Sequence, residues 1–353
     1  MGDCKIDTQV IIPTIILKQK LKLISIGIDV AMESLMVCEL FSDGQKKIKE
    51  IKNSDISIKR FAKRLCTANY GGKIIMESTG RHHMLATVVM SEKNLDVRVI
   101  NPLIAKKYST AAIRKVKTDK RDSEILAEIG IKEDNLPKSF TLDRKALTLR
   151  KKMRLIASIS KQLQNLTTMT REHKKTLDGL KCKMSEMENQ IFETIATLKK
   201  QKEQLELELE KEICEEGKNN QRAERYDSIP GVTSYVGALA ALLFSEEYSQ
   251  SAKQWIAFAG LDVSVKESGN WRGKGHLTKR GNTYLRQRMF TAAWGATRHN
   301  EKFKEYYEYL RIKKNRKHRE ALVIIARKII GIMFNLHKNN SFYDAQKALF
   351  VPA

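Results

Sequence analysis

At 353 residues the chain is too long for one ordinary core, so two or three domains are expected. A formal net charge of +24 and a pI near 9.7 point to polyanionic partners, while 42% hydrophobic residues exclude a disordered chain. The longest N-terminal apolar run, Val10 to Leu17, is broken by Pro13 and Thr14 and falls short of the roughly 20 residues a membrane span needs, which favours nucleic acid over a membrane. No cleavage pattern or myristoylation signal is read at the start, and five cysteines (Cys4, Cys38, Cys66, Cys182, Cys214) stand without a CxxC. A reducing, cytoplasmic setting without disulfides or zinc is expected.

Residues 1–20 read as an extension of unassigned role, followed by an α/β domain over 21–140. Apolar runs at 24–30, 35–41 and 46–52 predict three consecutive strands. A helix over 56–68, a strand over 73–77, a helix after Gly80 and a strand over 96–100 follow. Three strands in a row and then alternating α and β is the order of the ribonuclease H-like fold, in which carboxylates gather at strands one and four and a late helix.

Four carboxylates occupy those places. Asp29 in IGIDVA and Glu77 in KIIMES end strand-like runs, and Asp119 and Asp122 in KTDKRDSEILA lie three apart at a helix start, on one helix face. Taken singly, each also fits a plain strand end or a residue acting on the helix dipole. Gathered together they would repel unless cations lay between them, and hard oxygen ligands suit Mg²⁺ or Mn²⁺, which can support phosphoryl transfer on nucleic acid. The sugar-kinase and actin type of ATPase also ends its first strand in Gly-x-Asp, but Ala31-Met32-Glu33 offers neither the hydroxyl nor the glycine of its phosphate loop.

Residues 141–222 read as a long helical insert, with a heptad spacing of Met184, Ile191, Leu198 and Leu205 and an adjoining seam of Ile195 and Leu209 that suggest a coiled coil. Two arrangements remain open: a hairpin within one chain, turning at Gly179, or a coiled coil pairing two protomers. Gly217 to Asn220 is read as ending this segment. Over 223–345 a mostly α domain follows. Its Ser228-Ile229-Pro230-Gly231-Val232 turn resembles the hairpin of a helix-hairpin-helix element, whose backbone N–H groups can hold a phosphate, though Pro-Gly also serves as a plain turn. Leu285, Met289, Ala292, Ala293 and Ala296, and later Ala321, Ile324, Ile325, Ile329, Met333 and Leu336, have core spacing.

Between these stripes no acidic residue occurs from Ser268 to Asn300, while Arg272, Lys274, Lys279, Arg280, Arg286, Arg288 and Arg298 are basic. A glycine-rich loop over 268–282, ending at Asn282, would let the backbone approach a phosphate chain that these cations neutralise. A solvated basic surface is the alternative. A serine nucleophile needs activation or stabilisation of the attacked phosphate, and the sequence shows no base beside Ser268. A further basic run spans 311–319, read as backbone-directed.

With these motifs in order, the chain resembles the IS110 family of insertion-sequence transposases over most of its length. GIDVA, MESTG and VKTDKRDSEILA resemble the family's acidic N-terminal domain; SIPGVTSYVGALAALL, FAGLDVSVKESGNWRGKGHLTKRGNTYLRQRMFTAA and ALVIIARKIIGIMF resemble its C-terminal domain. The resemblance implies that Asp29, Glu77, Asp119 and Asp122 are RuvC-like DEDD ligands of Mg²⁺ and that Ser268 forms a transient phosphoserine link to DNA. It also implies donor and target DNA as substrates, a structured guide RNA from the element's non-coding end, a homo-oligomer (dimer or tetramer), and a prokaryotic, nucleoid-associated location. Arg272, Lys274, Lys279, Arg280, Asn282, Arg286 and Gly231 are the expected nucleic-acid contacts. The rival readings are a hydrolytic, structure-selective RuvC-like endonuclease and a non-catalytic nucleic-acid-binding derivative.

Overall fold

The computed structural model describes residues 21–78, 82–110, 118–244, 251–264, 267–268, 271–272 and 275–348. The apolar run at 10–17, Gly80 and Lys117 therefore lie outside the described residues. The chain divides into two compact units, Met1–Asp143 and Arg144–Ala353.

The first unit runs β1 (Leu23–Val30), β2 (Ser34–Phe41), β3 (Lys46–Lys52), α1 (Asp55–Thr67), β4 (Lys73–Glu77), α2 (His83–Ser91), β5 (Asp96–Ile100), α3 (Pro102–Thr110) and α4 (Asp119–Lys132). The strands form one sheet in the order β3-β2-β1-β4-β5, with β1, β2 and β3 antiparallel and β1, β4 and β5 parallel. This is the ribonuclease H-like topology expected from the strand order. Helices cover both faces of β1: Ile26 and Ile28 lie on one, and the small Ser25 and Gly27 lie against α4 on the other. Ile26, Ile28, Ile74 and Met76 pack with Ile58, Phe61 and Leu65 of α1 and with Ala86, Val89 and Met90 of α2, whereas Ile75 packs on the opposite face with Ile125, Leu126 and Ile129 of α4. Edge strand β3 carries Lys46, Lys47, Lys49 and Lys52, charges that discourage pairing with another sheet edge.

In the second unit α5 (Arg144–Gly179) and α6 (Glu186–Cys214) form an antiparallel hairpin within one chain, the turn beginning at Gly179 as its sequence position suggests. Lys152 meets Glu212 at 2.7 Å near the base, and His173 meets Glu188 at 2.6 Å near the tip. Ser185 and Glu188 form a reciprocal capping box that starts α6. The buried residues of α6 are Ile195, Leu209 and Ile213, so the adjoining seam faces inward, while Ile191 is 52% and Leu198 37% exposed. Gly217 does not end the helical region. It opens α7 (Gly217–Asp227), which continues as helix because Ala223 and Tyr226 bury against the following core.

The rest of the unit comprises α8 (Ser234–Leu243), α9 (Ala252–Phe258), short strands β6 (Val263–Ser264), β7 (Glu267–Ser268), β8 (Trp271–Arg272) and β9 (His276–Leu277), then α10 (Thr283–His299), α11 (Glu301–Ile312), α12 (His318–Asn339) and α13 (Ala345–Ala348). Every residue of α8 from Tyr235 to Leu243 is buried, which makes it the central helix of this core. Trp255 of α9 stacks on Phe244 at 4.2 Å between ring centres, and Leu149, Met153, Leu209 and Ile213 extend the same core to the base of the hairpin.

Candidate functional site

Strand register decides where the first two carboxylates lie. Gly27 of β1 pairs with Ile75 of β4 and Ile28 with Met76, and Asp29 and Glu77 are the residues that follow this last pair. Side chains alternate along strands, so Asp29 shares the face of Gly27, and Glu77 that of Ile75, the face covered by α4. Helix α4 crosses there with little space. A Cβ on Gly130 would strike Ser25, and one on Gly27 would strike the backbone of Ser123 and Ala127. The helix therefore runs antiparallel to β1, and its N-terminus, bearing Asp119 and Asp122, points toward the strand ends that carry Asp29 and Glu77.

Local interactions hold that end of α4. Thr118 caps it by accepting from the Arg121 N–H at 3.3 Å, and Lys46 of β3 ties its outer side to Glu128 at 2.7 Å and Glu124 at 3.2 Å. Asp29 accepts from the Val30 N–H at 3.0 Å; Asp29, Glu77 and Asp122 are half-buried and Asp119 is exposed. Among the described residues no group of three or more His, Cys, Asp or Glu is assembled to hold a metal ion. As donors the four carboxylates are all hard oxygens, which suit a divalent cation such as Mg²⁺.

Sequence reasoning overlooked Asn53. Its amide donates to the Ala31 carbonyl at 3.0 Å and to the His82 carbonyl at 3.1 Å, tying the turn after Asp29 to the segment after Glu77. No periodicity signals such a residue, because its role is a bridge between two loops.

Ser268 lies in a β-hairpin where a loop was expected. Val263 and Ser264 pair with Leu277 and His276, and nested within that ladder Glu267 pairs with Arg272 and Ser268 with Trp271. Ser268 thus sits on the innermost described rung. Lys274 lies outside the described residues.

Residues 26–207 match the DEDD type of IS110 family, described as "Transposase", and residues 223–308 match the family described as "Transposase IS116/IS110/IS902 family". The chain belongs to the IS110 family of transposases. It is similar to the "Insertion element IS110 uncharacterized 43.6 kDa protein" of Streptomyces coelicolor (strain ATCC BAA-471 / A3(2) / M145), 27% identical over 120 residues. That match covers 34% of this chain and 29% of that relative's length.

Other residues of this IS110-family chain singled out by sequence have definite structural duties. Asn282 caps α10 by accepting from the Leu285 N–H at 3.0 Å, and Arg286 donates to the Thr283 hydroxyl at 3.2 Å. Lys279, at φ +54°, and Arg280 are exposed in the turn before α10. Gly231 has φ +82° and a Cβ there would strike the α10 backbone at Ala292 and Ala296, so packing alone demands glycine in the Pro-Gly turn. Arg288 is engaged internally, with Glu206 and Tyr284. Among the described residues no helix is long and apolar enough to cross a membrane.

Proposed function

We propose that this chain is an insertion-sequence transposase that cuts and rejoins DNA by phosphoryl transfer, with Ser268 as nucleophile and Asp29, Glu77, Asp119 and Asp122 as ligands of Mg²⁺ or Mn²⁺. The observation that supports this reading is the parallel β1–β4 pairing, which ends one residue before Asp29 and Glu77, in a chain whose two parts both match transposase families. When bound, the metal would supply charge neutralisation at the scissile phosphate. The Ser268 oxygen forms a bond to phosphorus as a bridging P–O bond breaks. The serine proton passes to solvent, and the released strand end departs as a hydroxyl. Attack by the hydroxyl of an incoming strand reverses these bonds and frees the serine, so the exchange needs no outside energy source.

Arg272, Lys274, Lys279, Arg280 and Arg286 lie close to Ser268 in sequence and would neutralise the surrounding backbone, with Asn282 and the Gly231 turn as further contacts. Sequence choice comes from an element-encoded structured RNA, a partner that the net charge of +24 suits as well as DNA. Copies associate through a coiled coil involving the α5–α6 hairpin, where Met187, Ile191 and Leu198 are exposed.

The test incubates purified protein, RNA transcribed from the element's flanks, Mg²⁺ and end-labelled donor DNA, followed by a denaturing gel. A protein–DNA adduct that disappears with Ser268→Ala is the expected result. The competing reading is a hydrolytic endonuclease, favoured by the placement of all four carboxylates in one unit and Ser268 in the other. Cut ends without an adduct would establish that reading instead.

A further inference from the structure

Helix α7 presents Lys218, Gln221, Arg222 and Arg225 at spacings of three and four residues, and so along one face. That face and the C-terminal end of α12, with Phe334, His337, Lys338 and Asn340, line an open groove of about 520 Å³. Lys218, Arg222, Arg225, Lys338 and His337 line it, and among the described residues no Asp or Glu does. Lys218, Arg225 and Lys338 alone bring three like charges to this one groove. Its like charges repel one another in the free protein and become favourable once a polyanion enters.

Two rings give the groove a second property. Phe334 stands edge-on to the buried Trp255 at 5.3 Å, and the His337 ring lies 5.6 Å from the same indole, so both are fixed by the core beneath them. Planar rings beside arginines suit nucleic acid, whose bases stack while its phosphates take the cations. An acidic peptide would use the charges and leave the rings idle.

We propose that the α7–α12 groove is a phosphodiester-binding site that takes a single-stranded nucleic-acid backbone, separate from the Ser268 hairpin and independent of serine chemistry. DNA and RNA share this chemistry, and the experiment distinguishes them.

The full chain is titrated with labelled single-stranded DNA, RNA of the same sequence, and labelled polyglutamate, by fluorescence anisotropy over a series of salt concentrations. The variant Lys218→Gln/Arg225→Gln/Lys338→Gln is compared with Lys151→Gln/Lys174→Gln/Lys175→Gln, which removes equal charge from exposed positions on α5. The groove variant is expected to lose affinity and about 2 units of the log–log salt slope, at roughly 0.7 per phosphate contact, while the α5 variant keeps its slope. Loss for RNA alone or for DNA alone assigns the source. If the triple variant melts earlier than the parent, Lys338→Gln and Arg225→Gln are measured singly, each expected to remove about 0.7 of slope. Equal losses in the groove and α5 variants, an unchanged slope in the groove variants, or groove-dependent binding of polyglutamate as tight as that of nucleic acid would overturn the proposal. Ser268→Ala is expected to bind as the parent does, so failure here and failure of the serine mechanism are read apart.

Discussion

Gly27 and Ser123 meet backbone to backbone: a Cβ on Gly27 would lie 2.1 Å from the Ser123 carbonyl oxygen and 2.2 Å from the Ala127 amide nitrogen. Neither atom belongs to a flexible side chain, so Gly27→Ala can be accommodated only by moving α4 off β1. An overpacked core position costs about 1–3 kcal/mol, and the shift would carry Asp119 and Asp122 away from Asp29 and Glu77. Urea titration should show a lower midpoint with strand cleavage reduced more than nucleic-acid binding. An unchanged midpoint would mean that α4 does not rest on Gly27.

Asp29→Asn separates charge from fold. The asparagine Oδ1 can still accept the Val30 N–H, a bond of 3.0 Å in the parent, while the negative charge is removed. The variant should melt close to the parent and cleave no DNA. A chelator should silence the parent in the same way, with Mn²⁺ as well as Mg²⁺ restoring it. Full cleavage by Asp29→Asn would take this residue out of the proposed ligand set.

Glu39 makes the first unit acid-sensitive. Its side chain is 2% exposed, with Arg64 alongside and the Lys49 ammonium at 2.6 Å. Burial pushes the carboxyl up, but hydrogen bonds from Arg64 and Lys49 outweigh it and hold the group below its ordinary 4.5. A depressed folded value means that this stability is complete above about 4.5 and is lost as pH falls through the lower, folded value. Glu39→Gln should therefore be less stable than the parent at neutral pH by about 1–3 kcal/mol, with the gap closing in acid. Thermal melts across that range check it; a constant gap would assign the cost to packing alone.

The exposed stripe on α6 predicts how copies meet. Met187, Ile191 and Leu198 fall on one helix face and stay accessible, whereas Ile195, Leu209 and Ile213 are covered within the chain. Replacing the three exposed residues by Gln should leave the melting temperature within a few degrees and lower the mass seen in sedimentation. If the mass is unchanged, the hairpin is not where the copies join.

Much of the first unit was legible because period-2 and period-3.6 patterns there record burial directly: the strands from β1 to β5 and helix α1 fall within a residue or two of expectation, and α4 begins where a helix start was read. The places of the four carboxylates in the elements were legible for the same reason: Asp29 and Glu77 lie at strand ends, and Asp119 and Asp122 in the first turn of α4. The second unit was less legible. The α6 sequence carries two apolar seams, and which one turns inward depends on the distant partner α5. The basic stretch read as a loop contains paired strands because short ladders rest on cross-strand pairing that no single run announces. Asn53, Gln221 and Asn340 have no pattern at all; their surroundings come from other elements.

Arg288 shows how a basic residue can be misjudged from its neighbours in sequence. It lies in an acid-free stretch, yet its guanidinium bonds the Glu206 carboxylate, donates to the Tyr284 hydroxyl at 2.7 Å, and lies over the rings of Tyr235 and Tyr284 at 5.4 and 4.9 Å. Burial pushes both tyrosine hydroxyls up, so they stay neutral and pass a hydrogen bond of 3.0 Å between them. Arg288→Met would leave the Glu206 carboxylate with Lys202 at 3.1 Å as its remaining cation. The full cost of breaking a buried pair is about 3–5 kcal/mol; with Lys202 still present, about 2 kcal/mol is expected. Adding Glu206→Met should recover part of that loss, because the uncompensated charge goes with it. Nucleic-acid affinity at fixed salt should stay near the parent value in both variants. A drop in salt slope matching one lost phosphate contact would show that Arg288 leaves this network to meet the backbone.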